Sequence, residues 1–240
     1  MKVILLDIEG TTTPIDFVHK TLFPFARDQM REFVHFNILE IQDEIASLRV
    51  EHAEDYANGS YLEIFDERDD DSVSAYLQFL IDVDRKSTPL KSIQGKIWQK
   101  GYESGELVSE IFDDVPKALK RWKEQGKTIA IYSSGSILAQ KLIFKYSNHG
   151  DLTPFIDKYF DTNVGHKRET ESYTKIAAEL GKAAGDTMFV SDIAEELAAA
   201  RVAGIHTVLS VRKGSTDISG ETRHPLINTF ADLDDLLQAK

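Results

Sequence analysis

Short, mostly apolar runs predict the strands of this chain. The first run is Val3–Leu6, and similar runs occupy 128–132, 187–190 and 206–209. Apolar runs without regular polar alternation are typical of strands that are buried on both faces of a parallel sheet. A shorter run at 158–161 is a further strand candidate.

Stretches with helical spacing separate these runs in the second half of the chain. Alternation of helix and strand from about residue 115 to 210 predicts βαβ units on a parallel sheet. We expect a loop at 213–225, a helix beginning near Glu171 and a last helix at 231–239. The helices before the last three long runs are expected to end near Gly126, Gly185 and Gly204.

Residues 16–105 have a different pattern, with helical periodicity and few strand-like runs. Apolar side chains recur there at every third or fourth position, as in Ile38, Ile41, Ile45 and Leu48. The sequence therefore predicts an α/β fold with a Rossmann-like parallel sheet core at 1–14 and 110–240. We expect the intervening residues, 15–109, to form an inserted helical cap domain.

Composition restricts the function more than it restricts the fold. The 240 residues include no cysteine, which excludes disulfides, a thiol nucleophile and cysteine-based metal sites. The formal net charge of −12 argues against nucleic acid and anionic membranes as partners, since both require a basic surface. The N-terminal apolar run ends at Asp7 and is too short for a signal peptide. We expect a cytoplasmic monomer, with the nucleus as an alternative location in a eukaryote.

Much of the negative charge lies in one segment of the predicted cap. Residues 51–71 hold nine acidic side chains and one basic side chain, Arg68, and so carry −8 of the net charge. Such a run is usually a solvated helix face and loop. Whether this segment has a role beyond solubility stays open at this point.

Polar clusters follow three of the predicted strands. Residues 7–12 follow the first strand, 133–136 follow the second, and Ser191-Asp192 follow the run at 187–190. Because ligands of open α/β sheets bind beyond the carboxyl ends of the strands, we expect the clusters to converge. A single carboxylate at a strand end is more often a helix cap or a turn former, so the prediction depends on all three clusters.

These side chains suit a metal ion and a phosphate group. Asp7 and Asp192 offer the oxygen ligands that Mg²⁺ prefers. Ser133, with the backbone N–H groups that open the next helix, suits a phosphate oxyanion. Lys167 follows the run at 158–161 and can balance the carboxylates, although a lysine considered alone is usually solvated.

The order of these motifs resembles the haloacid dehalogenase superfamily: Asp-x-Glu-Gly-Thr-Thr from Asp7, then Ser133, Lys167 and Ser191-Asp192. Over nearly the whole chain, the sequence is also similar to the enolase-phosphatases of methionine salvage. The segment around Trp98 is the specific part, because many phosphatases share the sheet motifs. The similar segments are 7–15, 22–26, 94–98, 101–102, 105–107, 132–136, 165–167 and 171–173.

The resemblance implies a nucleophile and a metal site. Asp7 would attack the substrate and form an aspartyl-phosphate. Asp7, Glu9 and Asp192 would hold Mg²⁺, with Glu9 contributing its backbone oxygen as is common in the superfamily. Most of these phosphatases have Asp at the position of Glu9, where it acts as acid and base. The enolase-phosphatases share the Glu, which is one methylene longer.

The resemblance also implies the phosphate contacts. Ser133 and Ser134 would bind the substrate phosphate, and Lys167 would pair with both the phosphate and Asp7. Positive charge at the transferring group is most of what phosphoryl transfer requires. One departure is the loop from Arg212 to Ser215, which reads Arg-Lys-Gly-Ser where the family usually has Arg-Pro-Gly-Asn. It leaves the conformation of that loop in doubt.

The implied reaction is enolisation and then dephosphorylation of 2,3-diketo-5-methylthiopentyl 1-phosphate, which gives the acireductone. The enolisation base stays open between Glu9 and a residue of the cap, and His19 is more often a surface or capping histidine. Three alternatives remain: a superfamily phosphatase acting on another small phosphate ester, a non-catalytic binding module, and a metal-independent dehalogenase.

Overall fold

The computed structural model describes residues 1–212 and 223–238, and its core is a sheet of parallel strands. The strands are β1 (Val3–Leu6), β2 (Thr128–Tyr132), β3 (Lys158–Phe160), β4 (Thr187–Ser191), β5 (His206–Ser210) and β6 (Leu226–Ile227). Their order is β3-β2-β1-β4-β5-β6, so β1 pairs with β2 on one side and with β4 on the other. The α/β fold class predicted from the sequence is confirmed.

Helices lie between successive strands from β1 to β5, and a last helix follows β6. They are α1 (Ile15–Phe17), α2 (Phe23–Asn37), α3 (Gln42–Asn58), α4 (Asp70–Asp82), α5 (Thr88–Ser104), α6 (Val115–Glu124), α7 (Ile137–Lys145), α8 (Thr170–Glu179), α9 (Ala194–Val202) and α10 (Phe230–Gln238). Val18–Leu22 is a turn of π-helix, and 3-10 turns occur at Thr153–Phe155 and Ala184–Asp186. Among the described residues, no helix is long and apolar enough to cross a bilayer.

The buried strands set the position of the residues that follow them. All four residues of β1 are inaccessible to solvent, as the unbroken apolar pattern predicts. The register aligns Leu6 with Ile131 on one side and with Val190 on the other. The strands β1, β2 and β4 therefore end together, and the residues after them emerge at one edge of the sheet.

The chain divides into two compact units, Met1–Val18 with Val108–Lys240, and His19–Leu107. The sequence placed the corresponding boundaries at 14/15 and 109/110. The second unit contains α2 to α5, packed around buried apolar side chains such as Met30, Leu77 and Ile93. In this unit Trp98 is almost fully buried, and its indole N–H donates to the carbonyl of Leu22 at 2.8 Å.

Most predicted elements are confirmed, and the differences have local causes. The helix α8 ends at Glu179, close to Gly181 with φ +62°, so the expected end near Gly185 is wrong. Gly185 instead lies in a 3-10 turn. The strand β6 was not predicted because two residues are too short to show a period. The predicted loop at 213–225 lies largely outside the described residues.

The acidic segment 51–71 is more than a solvated surface. Asp55 is only 1% exposed, and its carboxylate accepts hydrogen bonds from Arg85 at 2.7 Å and from the Tyr76 hydroxyl at 2.8 Å. Asp71 pairs with Arg31 of α2, and Asp69 caps α4 through the backbone N–H of Asp71. These contacts join α3, α4 and α2 within the helical unit, so several of the carboxylates have structural partners.

Burial and hydrogen bonding shift the pKa of the Asp55 carboxyl group in opposite directions. Burial alone would raise the pKa of this carboxyl group, but the hydrogen bonds from Arg85 and Tyr76 outweigh it. The pKa is therefore held below its usual range. A carboxyl group with a depressed pKa contributes stability above its unfolded-state pKa and loses it as the pH falls through the folded-state value.

We expect Asp55→Asn to lower the free energy of unfolding by about 1–3 kcal/mol at neutral pH, because it weakens two buried hydrogen bonds. The deficit should begin to shrink below about pH 4, the unfolded-state pKa, and should continue to shrink until the folded wild-type carboxyl group is protonated at its depressed pKa. Urea unfolding across this pH range measures both effects. Glu54→Gln is the matched control, because Glu54 is the exposed neighbour on α3. An equal loss in the two variants would contradict the structural role of Asp55.

Candidate active site

The loop after β1 presents Asp7 at the carboxyl edge of the sheet. Asp7 is 4% exposed, its backbone N–H donates to the carbonyl of Val190 at 3.0 Å, and its Oδ1 accepts from the N–H of Ile8 at 2.8 Å. The carbonyl of Ile8 accepts from the N–H groups of residues 11–13. This tight turn holds the carboxylate in one orientation. We call residues 7–13 the Asp7 loop.

Lys167 is buried between two carboxylates. Its Nζ lies 2.6 Å from Oδ1 of Asp7 and 2.7 Å from Oε2 of Glu196. Burial alone would lower the pKa of Lys167, but attraction to the two carboxylates outweighs it and raises the pKa. The ammonium group therefore stays charged at neutral pH. The predicted pairing of Lys167 with Asp7 is present in the geometry.

Glu196 was not predicted from the sequence, although it belongs to this cluster. It lies in the first turn of α9, four residues after Asp192, and a spacing of four residues is the signal that could have identified it. The hydroxyl of Ser191 lies 2.9 Å from Oε2 of Glu196 and 3.3 Å from Oδ2 of Asp7. Burial and then repulsion from Asp7 raise the pKa of Glu196 to about 7.

Asp192 lies against the Asp7 loop at the end of β4. A Cβ built on Gly10 would lie 2.2 Å from Oδ2 of Asp192, so only glycine leaves room for this carboxylate. Gly10 also has φ +67°, which L side chains rarely adopt. Burial and then repulsion from Asp7 raise the pKa of Asp192 to about 7. The two carboxylates are thus close enough to repel each other.

The loop that carries Lys167 is fixed through its backbone. Three consecutive carbonyl groups accept side-chain hydrogen bonds: Gly165 from Tyr132 at 2.9 Å, His166 from Ser172 at 2.8 Å and Lys167 from Tyr173 at 2.6 Å. Gly165 has φ +141°, and a Cβ there would meet the Ser172 hydroxyl at 2.2 Å. These contacts set the direction from which the Lys167 side chain reaches Asp7.

The serines that follow β2 lie at the same edge of the sheet. Ser133 is 4% exposed, and its hydroxyl accepts from the N–H of Gly135 at 3.2 Å. Ser134 is exposed, and Ser136 caps α7 by accepting from the N–H of Ala139. The arrangement offers a hydroxyl and the positive end of a nine-residue helix, which together suit an anion.

The acidic side chains fit a hard divalent cation. Asp7 and Glu196 contact the ammonium group of Lys167, and Asp192 lies close enough to interact with its charge. Burial first, and then repulsion from Asp7, raises the pKa values of Asp192 and Glu196. Glu9 is half-buried in the Asp7 loop. Within residues 1–212 and 223–238, no three His, Asp or Glu side chains are grouped as a complete metal site. A bound cation would therefore also use backbone oxygens or water.

Comparison with known proteins identifies the class first. Residues 1–204 match a family model described as haloacid dehalogenase-like hydrolase. The UTR4 protein of Saccharomyces cerevisiae is similar in structure, with a TM-score of 0.80 and 32% identity over 95% of this chain and 98% of that chain. A dehalogenase structure at 17% identity, with a TM-score of 0.56 over 98% and 96% of the two chains, shares the fold.

Sequence relatives then narrow the assignment. Proteins named enolase-phosphatase E1 are 51% identical in Synechococcus elongatus, over 90% of each chain, and 44% identical in Marinobacter nauticus, over 100% of each chain. A third, from Leptospira borgpetersenii, is 48% identical over 95% of this chain and 96% of its own. The chain belongs to the haloacid dehalogenase-like hydrolases and, within them, to the enolase-phosphatase E1 family of phosphatases.

Gly10→Ala tests the close approach of Asp192 to the Asp7 loop. We expect phosphate release from para-nitrophenyl phosphate to fall about 100-fold, because the new methyl group displaces the carboxylate. Gly126→Ala is the matched control: Gly126 has φ +71° but open space around it. Both variants should lose about 1 kcal/mol of stability from backbone strain, measured by urea unfolding. Equal activity in the two variants would show that the contact is unimportant.

Proposed function

We propose that the chain is a Mg²⁺-dependent enolase-phosphatase of methionine salvage. It would convert 2,3-diketo-5-methylthiopentyl 1-phosphate, through its enol phosphate, to the acireductone and inorganic phosphate. The observation that carries the proposal is the buried Lys167 ammonium group, 2.6 Å from the Asp7 carboxylate at the carboxyl edge of the sheet. The names of the sequence relatives support the choice of substrate.

Asp7 is the proposed nucleophile. Its carboxylate oxygen attacks phosphorus, the bond from phosphorus to the substrate oxygen breaks, and an aspartyl-phosphate forms. Water then cleaves this acyl phosphate, releasing inorganic phosphate and restoring the carboxylate. Oδ1 is held by Lys167 at 2.6 Å and by the N–H of Ile8 at 2.8 Å, whereas Oδ2 has a longer contact of 3.3 Å with the Ser191 hydroxyl, so Oδ2 is the oxygen better placed to attack.

The remaining site residues are proposed to bind phosphate and to move protons. Lys167, Ser133 and Ser134 would contact the phosphate oxygens, and the fixed ammonium group would stabilise the charge that spreads over them. Glu9 would protonate the leaving oxygen and later take a proton from the attacking water. Its position in the Asp7 loop, two residues from the nucleophile, supports this role.

We propose Asp7, Asp192 and the backbone oxygen of Glu9 as the residues that hold Mg²⁺. When bound, the cation supplies positive charge to the phosphoryl group and polarises the diketone. The excess of carboxylates over ammonium groups at this edge supports a divalent cation rather than a monovalent one. Glu196 is proposed to hold Lys167 in place instead, since its Oε2 contacts Lys167 and Ser191.

The cellular setting is also proposed. We infer a cytoplasmic monomer that acts on a small phosphorylated diketone and has no nucleic-acid or membrane partner. The net charge of −12 supports the absence of polyanionic partners. Sedimentation of the purified protein tests the monomer directly.

Asp7→Asn tests the nucleophile. With the diketone phosphate and Mg²⁺, we expect the wild type to release phosphate and to develop the ultraviolet absorbance of the acireductone, and a chelator should stop both. The amide cannot form the aspartyl-phosphate, so the variant should release no phosphate. Asp186→Asn, the same change at a surface ion pair with Lys2, should behave like the wild type. Full phosphate release by Asp7→Asn would remove the nucleophile assignment.

The same assay distinguishes the proposed enzyme from two alternatives, a phosphatase with another substrate and a dehalogenase. Turnover of aryl phosphates, with no acireductone formed from the diketone phosphate, would indicate a phosphatase for another small ester. Chelator-insensitive turnover of a haloacid would indicate a dehalogenase. Enol phosphate that accumulates with Asp7→Asn would show that enolisation does not need the nucleophile.

A further inference from the structure

We propose that Arg212 is a positioning residue that holds the Asp7 loop in its reactive shape. This inference deepens the proposed function, because it rests on Asp7 being the nucleophile. Arg212 lies two residues beyond the end of β5 and 201 positions from the nearest loop residue that it contacts, Thr11. None of its contacts with the described residues is to a proposed phosphate or metal ligand.

Hydrogen bonds hold the guanidinium group of Arg212 through two of its three nitrogens, Nε and Nη1, while the buried Nη2 has no hydrogen-bond partner among the described residues. Its Nε donates to the carbonyl of Thr11 at 3.0 Å, and its Nη1 donates to Oδ2 of Asp114 at 2.8 Å and to the carbonyl of Asn228 at 3.0 Å. The whole residue is 6% exposed. Phe112 and Phe230 contact the group as well, each with its ring centroid 4.7 Å from Cζ.

This environment is specific for arginine. A planar group with several N–H donors can reach a carbonyl and a carboxylate while aromatic rings contact it, whereas a lysine ammonium group cannot reproduce that geometry. Asp114 is itself fixed, since its Oδ2 also accepts from the N–H of Phe230 at 2.6 Å. The arginine thus connects the Asp7 loop to the start of α6 and to the C-terminal segment before α10.

The contact with Thr11 is part of a row along the loop. The carbonyl of Gly10 accepts from the Ser210 hydroxyl at 3.2 Å, that of Thr11 from Arg212, and that of Thr12 from the N–H of Phe112 at 3.1 Å. Three consecutive carbonyls are therefore held by donors from outside the loop. Of these donors, only Arg212 is a charged side chain, and charged donors make the stronger hydrogen bonds.

Loss of this contact should misplace the nucleophile without removing it. The loop between Gly10 and Thr13 is closed by the N–H of Gly10 on the carbonyl of Thr13, so a shift at Thr11 moves the backbone next to Asp7 and Glu9. A misplacement of about 1 Å in a reacting group can cost about 100-fold in rate. Binding of the phosphate depends on other elements and should change little.

Arg212→Lys tests the inference. With the diketone phosphate and Mg²⁺, we expect kcat for phosphate release to fall about 100-fold, with KM changed by less than about threefold. Hydrogen exchange of the backbone amides of residues 8–13, followed by mass spectrometry, should become faster. In Arg212→Ala, millimolar guanidinium should restore part of kcat by occupying the space between the two rings. Arg121→Lys is the matched control, because Arg121 pairs with Asp234 between α6 and α10, away from the Asp7 loop.

Each outcome of these experiments either supports or overturns the positioning role of Arg212. Slow turnover with faster exchange at residues 8–13, absent from Arg121→Lys, supports the proposal, and guanidinium rescue supports it independently if Arg212→Lys fails to fold. Unchanged kcat, unchanged loop exchange, or an equal loss in Arg121→Lys would overturn it. Failure of the proposed function looks different: Asp7→Asn would retain phosphate release, while loop exchange in Arg212→Lys would still report the positioning contact.

Discussion

A shortage of positive charge at the carboxyl edge of the sheet governs the arrangement of the site. Asp7 and Glu196 contact the ammonium group of Lys167, and Asp192 interacts with its charge, so three carboxylates face one ammonium group among the described residues. Burial makes each charge more costly and raises the pKa values of Asp192 and Glu196 to about 7. Burial would lower the pKa of Lys167, but attraction to Asp7 and Glu196 outweighs it and raises that pKa. Such a cluster keeps the lysine protonated and remains receptive to a further cation. Both properties suit the transfer of a phosphoryl group.

Two loops keep these charges in place, and each loop is held by hydrogen bonds to three consecutive backbone carbonyls. In the Lys167 loop, three consecutive carbonyls accept hydrogen bonds from the hydroxyl groups of Tyr132, Ser172 and Tyr173. In the Asp7 loop, three consecutive carbonyls accept from Ser210, Arg212 and the N–H of Phe112. Fixing the backbone leaves the functional groups themselves available for ligands. The geometry of a catalytic group is thereby set without occupying its reactive atoms.

The sequence predicts the polar side chains that directly follow the strands. It does not predict contacts between residues that are far apart along the chain. The burial of β1 and its neighbours follows from apolar runs, so Asp7, Ser133 and Asp192 are placed by the periodicity itself. Their chemical roles remain proposals. Glu196 and Arg212 were missed as site residues, because a pattern of hydrophobic and polar positions does not say which buried charge meets which partner. Arg212 meets Thr11 across 201 positions, a separation that no local period reports.

A count of formal charges does not predict the role of the acidic segment 51–71, for a related reason. The segment 51–71 carries −8, yet Asp55 is buried and bonded to Arg85 and Tyr76, while Asp71 pairs with Arg31. A formal charge gives no information about such partners, and paired or distant exposed charges act weakly beyond the Debye length of about 8 Å in physiological salt. The net charge of −12 therefore argues against a long polyanion, which must contact a broad surface, but not against a single phosphate ester. Such an ester would respond to the few groups within contact distance, where Lys167 and the cation proposed at Asp7 and Asp192 would determine the local field.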